Sequence, residues 1–194
     1  MTTTARPEIP GAFSREDYAA APIIEPKPAR APERRTKTNS LILIAESGDL
    51  EKTWATTILA SSAAASGMDV TIFFTFWGFM ALVKPEKRTF GETWMQKMLS
   101  VMNRPGIDHL KLSRLNFAGM GPWMMGKLAK ENGIAKPGEL LEMAIALGVT
   151  ILPCQMSMDM FGLKREDLIE GVGEPVGAAT VLAMIADGTP ALFL

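Results

Sequence analysis

The chain has little with which to build a cofactor or disulfide site. Its 194 residues contain one cysteine, Cys154, and one histidine, His109. A single cysteine excludes an internal disulfide. One Cys and one His also cannot supply the four N/S ligands of a structural zinc within one chain. No glycine-rich phosphate motif is present: Gly119-Met120-Gly121-Pro122 lacks both the P-loop lysine and the dinucleotide-binding spacing. No long hydrophobic run is present either. The longest apolar stretch, Val70 to Val83, has 14 residues, and a spanning helix needs about 20. It follows Met68-Asp69 directly, where a second strand belongs, so it reads as a buried strand running into an apolar helix and not as a membrane span. A strong charge imbalance is also missing. Residues 41–194 carry 13 basic and 16 acidic side chains, a balance that argues against general nucleic-acid binding.

What is there divides in two. Residues 1–39 form a tail rich in proline and arginine, with few large apolar residues and seven Lys/Arg against five Asp/Glu. Such a segment cannot bury enough apolar area to offset the entropy of ordering, and it is expected to be disordered. It resembles neither a signal peptide nor a strong transit peptide, since it has no apolar core and carries Glu8, Glu16 and Asp17. An unpaired cysteine fits a reducing cytoplasm.

Residues 40–194 read as one α/β domain. Leu41 to Ala45 is a continuous apolar run, as in a strand covered on both faces. Ser47 or Asp49 can cap the helix that follows, in which Leu50, Trp54 and Ile58 recur at four-residue spacing. Gly67 ends it, and Val70 to Thr75 is the second strand. Trp94, Met95, Met98, Leu99 and Met102 form one face of a later helix. Leu110 to Phe117 reads as extended. Further helices open at Met120 and Pro137. Val149 to Pro153 is the third strand, Val172 starts a brief fourth strand or turn, Pro175 to Ala186 is helical, and Ala191 to Leu194 closes the sheet. The pattern predicts about five mostly parallel strands with helices on both faces.

Cys154 ends the third strand and begins a helical turn. Ligands bind at that edge of open α/β sheets, and a helix start favours a thiolate over a thiol. A small buried hydrophobe is the plainer role for the same residue. Ser157 and the amides of Gln155 to Met158 can hold a bound anion or simply cap the helix. Gly48, after the first strand, permits close backbone approach or makes an ordinary turn. The 14 methionines include Met120, Met124, Met156 and Met158, which suit an adaptable apolar wall over Cys154, or core filling. A Cu(I) site lacks defined ligand spacing, so no metal and no cofactor is expected. His109 lies in a polar loop and is either a partner for the cysteine or merely solvated.

The segments Gly48-Asp49-Leu50-Glu51-Lys52, Phe73-Phe74-Thr75-Phe76-Trp77-Gly78, Leu115 to Pro122 and Cys154-Gln155-Met156-Ser157-Met158-Asp159 together resemble the DsrE/DsrF-like family, in its single-cysteine sulfur-carrier branch. The resemblance covers about residues 41–194. It implies a flavodoxin-like three-layer sandwich, homo-oligomers and cytoplasmic sulfur trafficking on a cysteine that maps to Cys154. A rhodanese-type sulfurtransferase and a TusA-like carrier are the partners it implies. A single thiol suits such a carrier, since a resolving cysteine on the same chain would discharge the cargo as a disulfide. The alternative is an oligomeric interaction module with an inert cysteine, or a membrane-associated member of the family.

Overall fold

Four parallel strands lie in the order β3-β2-β1-β4, with β1 at Ser40–Ala45, β2 at Asp69–Phe74, β3 at Thr150–Pro153 and β4 at Ala191–Phe193. The computed structural model describes residues 39–194, so the expectation of a disordered tail lies outside the described residues. Six α-helices connect the strands: α1 Leu50–Ala65, α2 Trp94–Met102, α3 Met120–Glu131, α4 Pro137–Ala146, α5 Gln155–Phe161 and α6 Ala178–Ala186. This is the three-layer α/β fold that the sequence predicts.

Side-chain alternation along the strands assigns the two faces. Leu43, Ala45, Ile72, Phe74 and Ile151 share a core with Trp54 of α1 and Leu141 and Ala144 of α4. Ile42, Phe73 and Cys154 point the other way and pack with Val181, Met184 and Ile185 of α6. Chirality explains the split. From β1 to β2 to β3 the chain moves one way across the sheet, and right-handed crossovers keep α1 and α4 on one face. From β3 it returns past β1 to β4, so the same handedness puts α6 on the opposite face.

The 14-residue apolar run goes entirely into this domain. Its first part is β2, buried from Val70 to Phe74. Its second part is a tight 3₁₀ turn over Gly78–Leu82, buried throughout, in place of the apolar helix that the sequence suggests. Gly78 is required there. A Cβ would stand 2.4 Å from the Ala45 carbonyl oxygen, because the Gly78 amide donates to Glu46 O at 2.8 Å and draws the two backbones together. No helix among the described residues is long and apolar enough to cross a membrane.

Elsewhere the structure departs from the pattern. A fifth strand does not form at Val172. Val172 and Val176 make isolated parallel bridges to Ile151 and Cys154 on the outer edge of β3. Pro175 has no N–H to give a ladder, and Gly173 favours a bend, so the pairing stops at single residues. Helix α6 accordingly starts at Ala178 and not at Pro175. The stretch from Leu110 to Phe117 forms no strand: it is irregular, with bends at Ser113 and Arg114 and a single parallel bridge from Lys111 to Asp49. In α1 Leu50 and Trp54 are buried as the spacing predicts, Ile58 is exposed, and the rest of the buried stripe is Thr53, Thr56, Thr57, Ala60 and Ser61. The Thr57 and Ser61 hydroxyls donate to carbonyls one turn back. The helix thus satisfies its own polar groups and comes close to α4, which small residues allow.

Candidate functional site

Cys154 occupies the N-cap position of α5 with extended backbone, φ −77° and ψ 119°. Three backbone hydrogen bonds fix it there. Its amide donates to Phe74 O at 2.9 Å, which continues the β2–β3 pairing by one residue. Its carbonyl accepts from Met158 N at 3.1 Å, which is the first turn of the helix. The next amide, Gln155 N, donates to Val176 O at 3.0 Å. The thiol is thereby held where strand becomes helix, beside the edge segment that carries Val176.

Two opposing influences act on the sulfur. Burial pushes the thiol up, since the residue is only 3% exposed. The hydroxyls of Thr75 and Ser157 and the amides of Ser157 and Met156 act the other way, by hydrogen bonding the charged form. The net result holds Cys154 below the ordinary thiol range. A thiolate is the nucleophilic form, so the arrangement favours chemistry at sulfur even though the residue is covered.

Ser157 is the centre of this support. It is fully buried. Its Oγ accepts the Phe76 amide at 2.9 Å and lies 3.4 Å from Thr75 Oγ1. Phe76 has φ 44°, a left-handed conformation unfavourable for a non-glycine residue. Phe76 is thus strained at the exit of β2, and the Ser157 hydroxyl holds it. The Trp77 ring then packs on Phe161 of α5 at 5.3 Å between centroids.

The residues singled out in the sequence separate into groups. Ser157 and the amides of Met156 and Ser157 meet Cys154. Met158 is buried in the opposite core with Phe161, whereas Met156 and Gln155 are exposed on α5. The Gln155 side-chain amide donates to Asp159 Oδ1 at 2.8 Å, which turns Asp159 along the helix surface. Gly48 does allow a close backbone approach, but by the protein itself: a Cβ there would lie 2.8 Å from Trp77 O. It borders a cleft of about 410 Å³ shared with Trp77, Met102 and Lys111. Met120 and Met124 are exposed on α3 and belong to neither core cluster. His109 sits in a 3₁₀ turn, with Nδ1 3.1 Å from Pro105 O.

Sequence reasoning missed Thr75 and the segment 172–176. Thr75 follows a strand of buried apolar residues, and a hydroxyl there is the signal that could have found it. The edge segment gave no comparable signal, because it meets Cys154 and Gln155 through backbone groups.

Comparison with known proteins gives the family. The profile of the DsrE/DsrF/DrsH-like family matches residues 37–193. An uncharacterised protein of Bacillus subtilis, YrkE, is 39% identical over 160 residues, which is 82% of this chain and 98% of that protein. A protein of Allochromatium vinosum named sulfur carrier protein DsrE2 is 32% identical over 161 residues, 79% of this chain and 97% of its own length. The crystal structure of the E. coli ychN protein overlays at a TM-score of 0.49 and 15% identity, covering 80% of this chain and 98% of that one. On the extent of the family match and on both sequence relatives, the chain belongs to the DsrE/DsrF/DrsH-like family.

Proposed function

We propose that this protein works in a sulfur relay as a carrier, with Cys154 as the acceptor. The observation that carries the reading is the placement of the one thiol at the start of α5, where the hydroxyls of Thr75 and Ser157 and the amides of Met156 and Ser157 favour its charged form despite burial. The family and the printed name of the A. vinosum relative support a relay role. In the first step the Cys154 thiolate attacks the outer sulfur of a donor persulfide. A new S–S bond forms at Cys154 as the donor's S–S bond breaks, and the donor leaves as a thiolate with the electron pair. In the second step an acceptor thiolate attacks the same outer sulfur and Cys154 leaves as thiolate. Neither step is a net oxidation or reduction. A cysteine-bound thiosulfonate is the other cargo this site suits, since amides at a helix start also favour a sulfonate.

The donor and acceptor we propose are a rhodanese-type sulfurtransferase and a TusA-like carrier, met in the cytoplasm by a homo-oligomer. Transfer needs the sulfur to be uncovered, because both reaction partners must reach a residue that is buried here. That burial is also the one observation favouring a second reading, an interaction module whose cysteine is only a core residue.

Intact mass after incubation with polysulfide separates the two. The carrier gains whole sulfur atoms that a small thiol removes, and Cys154→Ser gains none. An adduct that persists in Cys154→Ser, or no adduct on the wild type, rejects the assignment.

A further inference from the structure

A wide cleft lies away from the cysteine, where the 105–119 segment meets α3 and the start of α4. It encloses about 890 Å³, and Cys154 is not among its lining residues. Five cationic side chains line it: Arg104, Lys111, Lys127, Lys130 and Lys136, against the single carboxylate of Asp108. The whole chain has a net charge of −1, so this concentration of positive charge is local. It is also largely uncompensated. Among the described residues the only side-chain ion pair of these five is Lys127 Nζ to Glu131 Oε1, at 3.9 Å and exposed. Lys111 Nζ spends one donor on Met102 O at 2.8 Å. Like charges gathered without partners repel one another, and a bound anion removes that repulsion.

Three further features converge on the same cleft. Trp123 lines it and is 65% exposed. Lys127 Nζ stands 5.8 Å from the ring centroid, and the remaining surface offers a planar group a place to stack. Asn116 lines it too, and its Oδ1 is the one buried side-chain atom among the described residues left without a hydrogen-bond partner. A lone acceptor fits a ligand that brings N–H or O–H groups as well as negative charge. The adjoining backbone is strained: Leu115, Phe117 and Ala118 all have positive φ, at 59°, 37° and 53°, and Ala118 lines the cleft. Strain of this kind concentrates at ligand sites.

We infer that this cleft binds a phosphorylated small molecule carrying a planar, hydrogen-bond-donating ring, the chemistry of a nucleoside diphosphate. The volume falls within the range of small-molecule sites. A single inorganic anion would leave both the indole and the Asn116 acceptor unused. An extended acidic peptide would use the lysines but would not supply a ring to Trp123.

Calorimetric titration of the full chain with ADP, pyrophosphate and adenosine at low salt tests this. ADP is expected to bind one to one, more tightly than pyrophosphate, with adenosine weakest, and added salt should weaken ADP. Combining Arg104→Ala with Lys130→Ala should weaken ADP by about tenfold or more, as charge-assisted contacts are lost. Combining Arg104→Lys with Lys130→Arg should restore most of it. Trp123→Ala should weaken ADP and leave pyrophosphate unchanged. Cys154→Ser should bind ADP as the wild type does, so failure of the sulfur reading and failure of this one are distinguishable. Absence of saturable ADP binding at millimolar concentration overturns the inference. So does equal affinity in the double alanine variant with its circular dichroism preserved. Tighter binding of polyglutamate than of ADP assigns the cleft to an acidic protein segment and overturns it as well.

Discussion

The Ser157 hydroxyl accepts the Phe76 amide at 2.9 Å across 81 residues of sequence. That bond ties the exit of β2 to the helix that presents the cysteine. It also gives one side chain two tasks, since Ser157 both steadies a left-handed Phe76 and helps hold the Cys154 thiol below its ordinary range.

The two tasks separate by substitution. Ser157→Ala removes a donor to sulfur and leaves the half-buried Phe76 amide without its partner, which costs about 1 kcal/mol of stability. Thr75→Val removes a donor to sulfur with little change of shape. Both substitutions raise the Cys154 pKa, because each takes away a hydrogen bond that favours the charged form. The rate of alkylation as a function of pH should therefore have its midpoint below that of a free thiol in the wild type and shifted upward in either variant. Coincident profiles in wild type and Thr75→Val would remove the assigned role of the hydroxyls.

Met156 and Met158, two residues apart, should behave differently. Met156 is 55% exposed and Met158 is 4% exposed. Met158→Ser leaves a cavity and a new buried hydroxyl in the main core, with a loss of about 2–5 kcal/mol. Met156→Ser should leave the melting temperature within a few degrees of wild type. If Met156 shields cargo, a loaded Met156→Ser protein releases sulfur to small thiols faster while still loading fully. An unchanged release rate assigns no shielding to Met156.

Asp167 gives the fold a pH dependence at the opposite end from the cysteine chemistry. Burial pushes its carboxyl up, but Lys87 at 2.5 Å and the Lys164 amide at 2.9 Å outweigh burial and hold it below the usual carboxylate range. A depressed folded-state pKa stabilises the protein above the unfolded carboxylate pKa, and that contribution fades as pH falls through the folded value. Asp167→Asn should therefore lower stability at neutral pH, by about 1–3 kcal/mol. The gap between variant and wild type should narrow as the medium is made strongly acidic. Denaturant titrations across pH check this, and a gap independent of pH would place the cost in packing and not in charge.

The layered fold was legible because both strand faces are apolar and the strands are punctuated by glycine. Cys154 was legible because Val149 to Pro153 is an unmistakable buried strand ending at a thiol. The contacts that tune the sulfur were not, since Thr75 and Ser157 lie 82 residues apart and only the β2–β3 pairing brings them together. The placement of the apolar surplus was only partly readable. Composition marks both Val70 to Val83 and Trp94 to Met102 as too apolar to hide easily. The first is nonetheless core except at Thr75 to Trp77, because Gly78 lets it fold back tightly against β1. The second stays at the surface.

That second segment leads to the remaining prediction. Helix α2 has a capping box between Thr93 and Gln96, yet Ser100 is its only buried residue. Trp94 is 70% exposed and Val101 75%, with Met95, Met98 and Met102 exposed beside them. A helix this short is marginal by itself in water, and a contiguous apolar surface of this kind marks an interface. Sedimentation of the full chain at micromolar concentration is expected to give a defined oligomer. Replacing Trp94 and Val101 together with glutamate should shift it toward monomer without unfolding the sheet, since neither side chain reaches the core. A wild-type monomer, or a double variant that assembles as before, would show that α2 does not hold copies of the chain together.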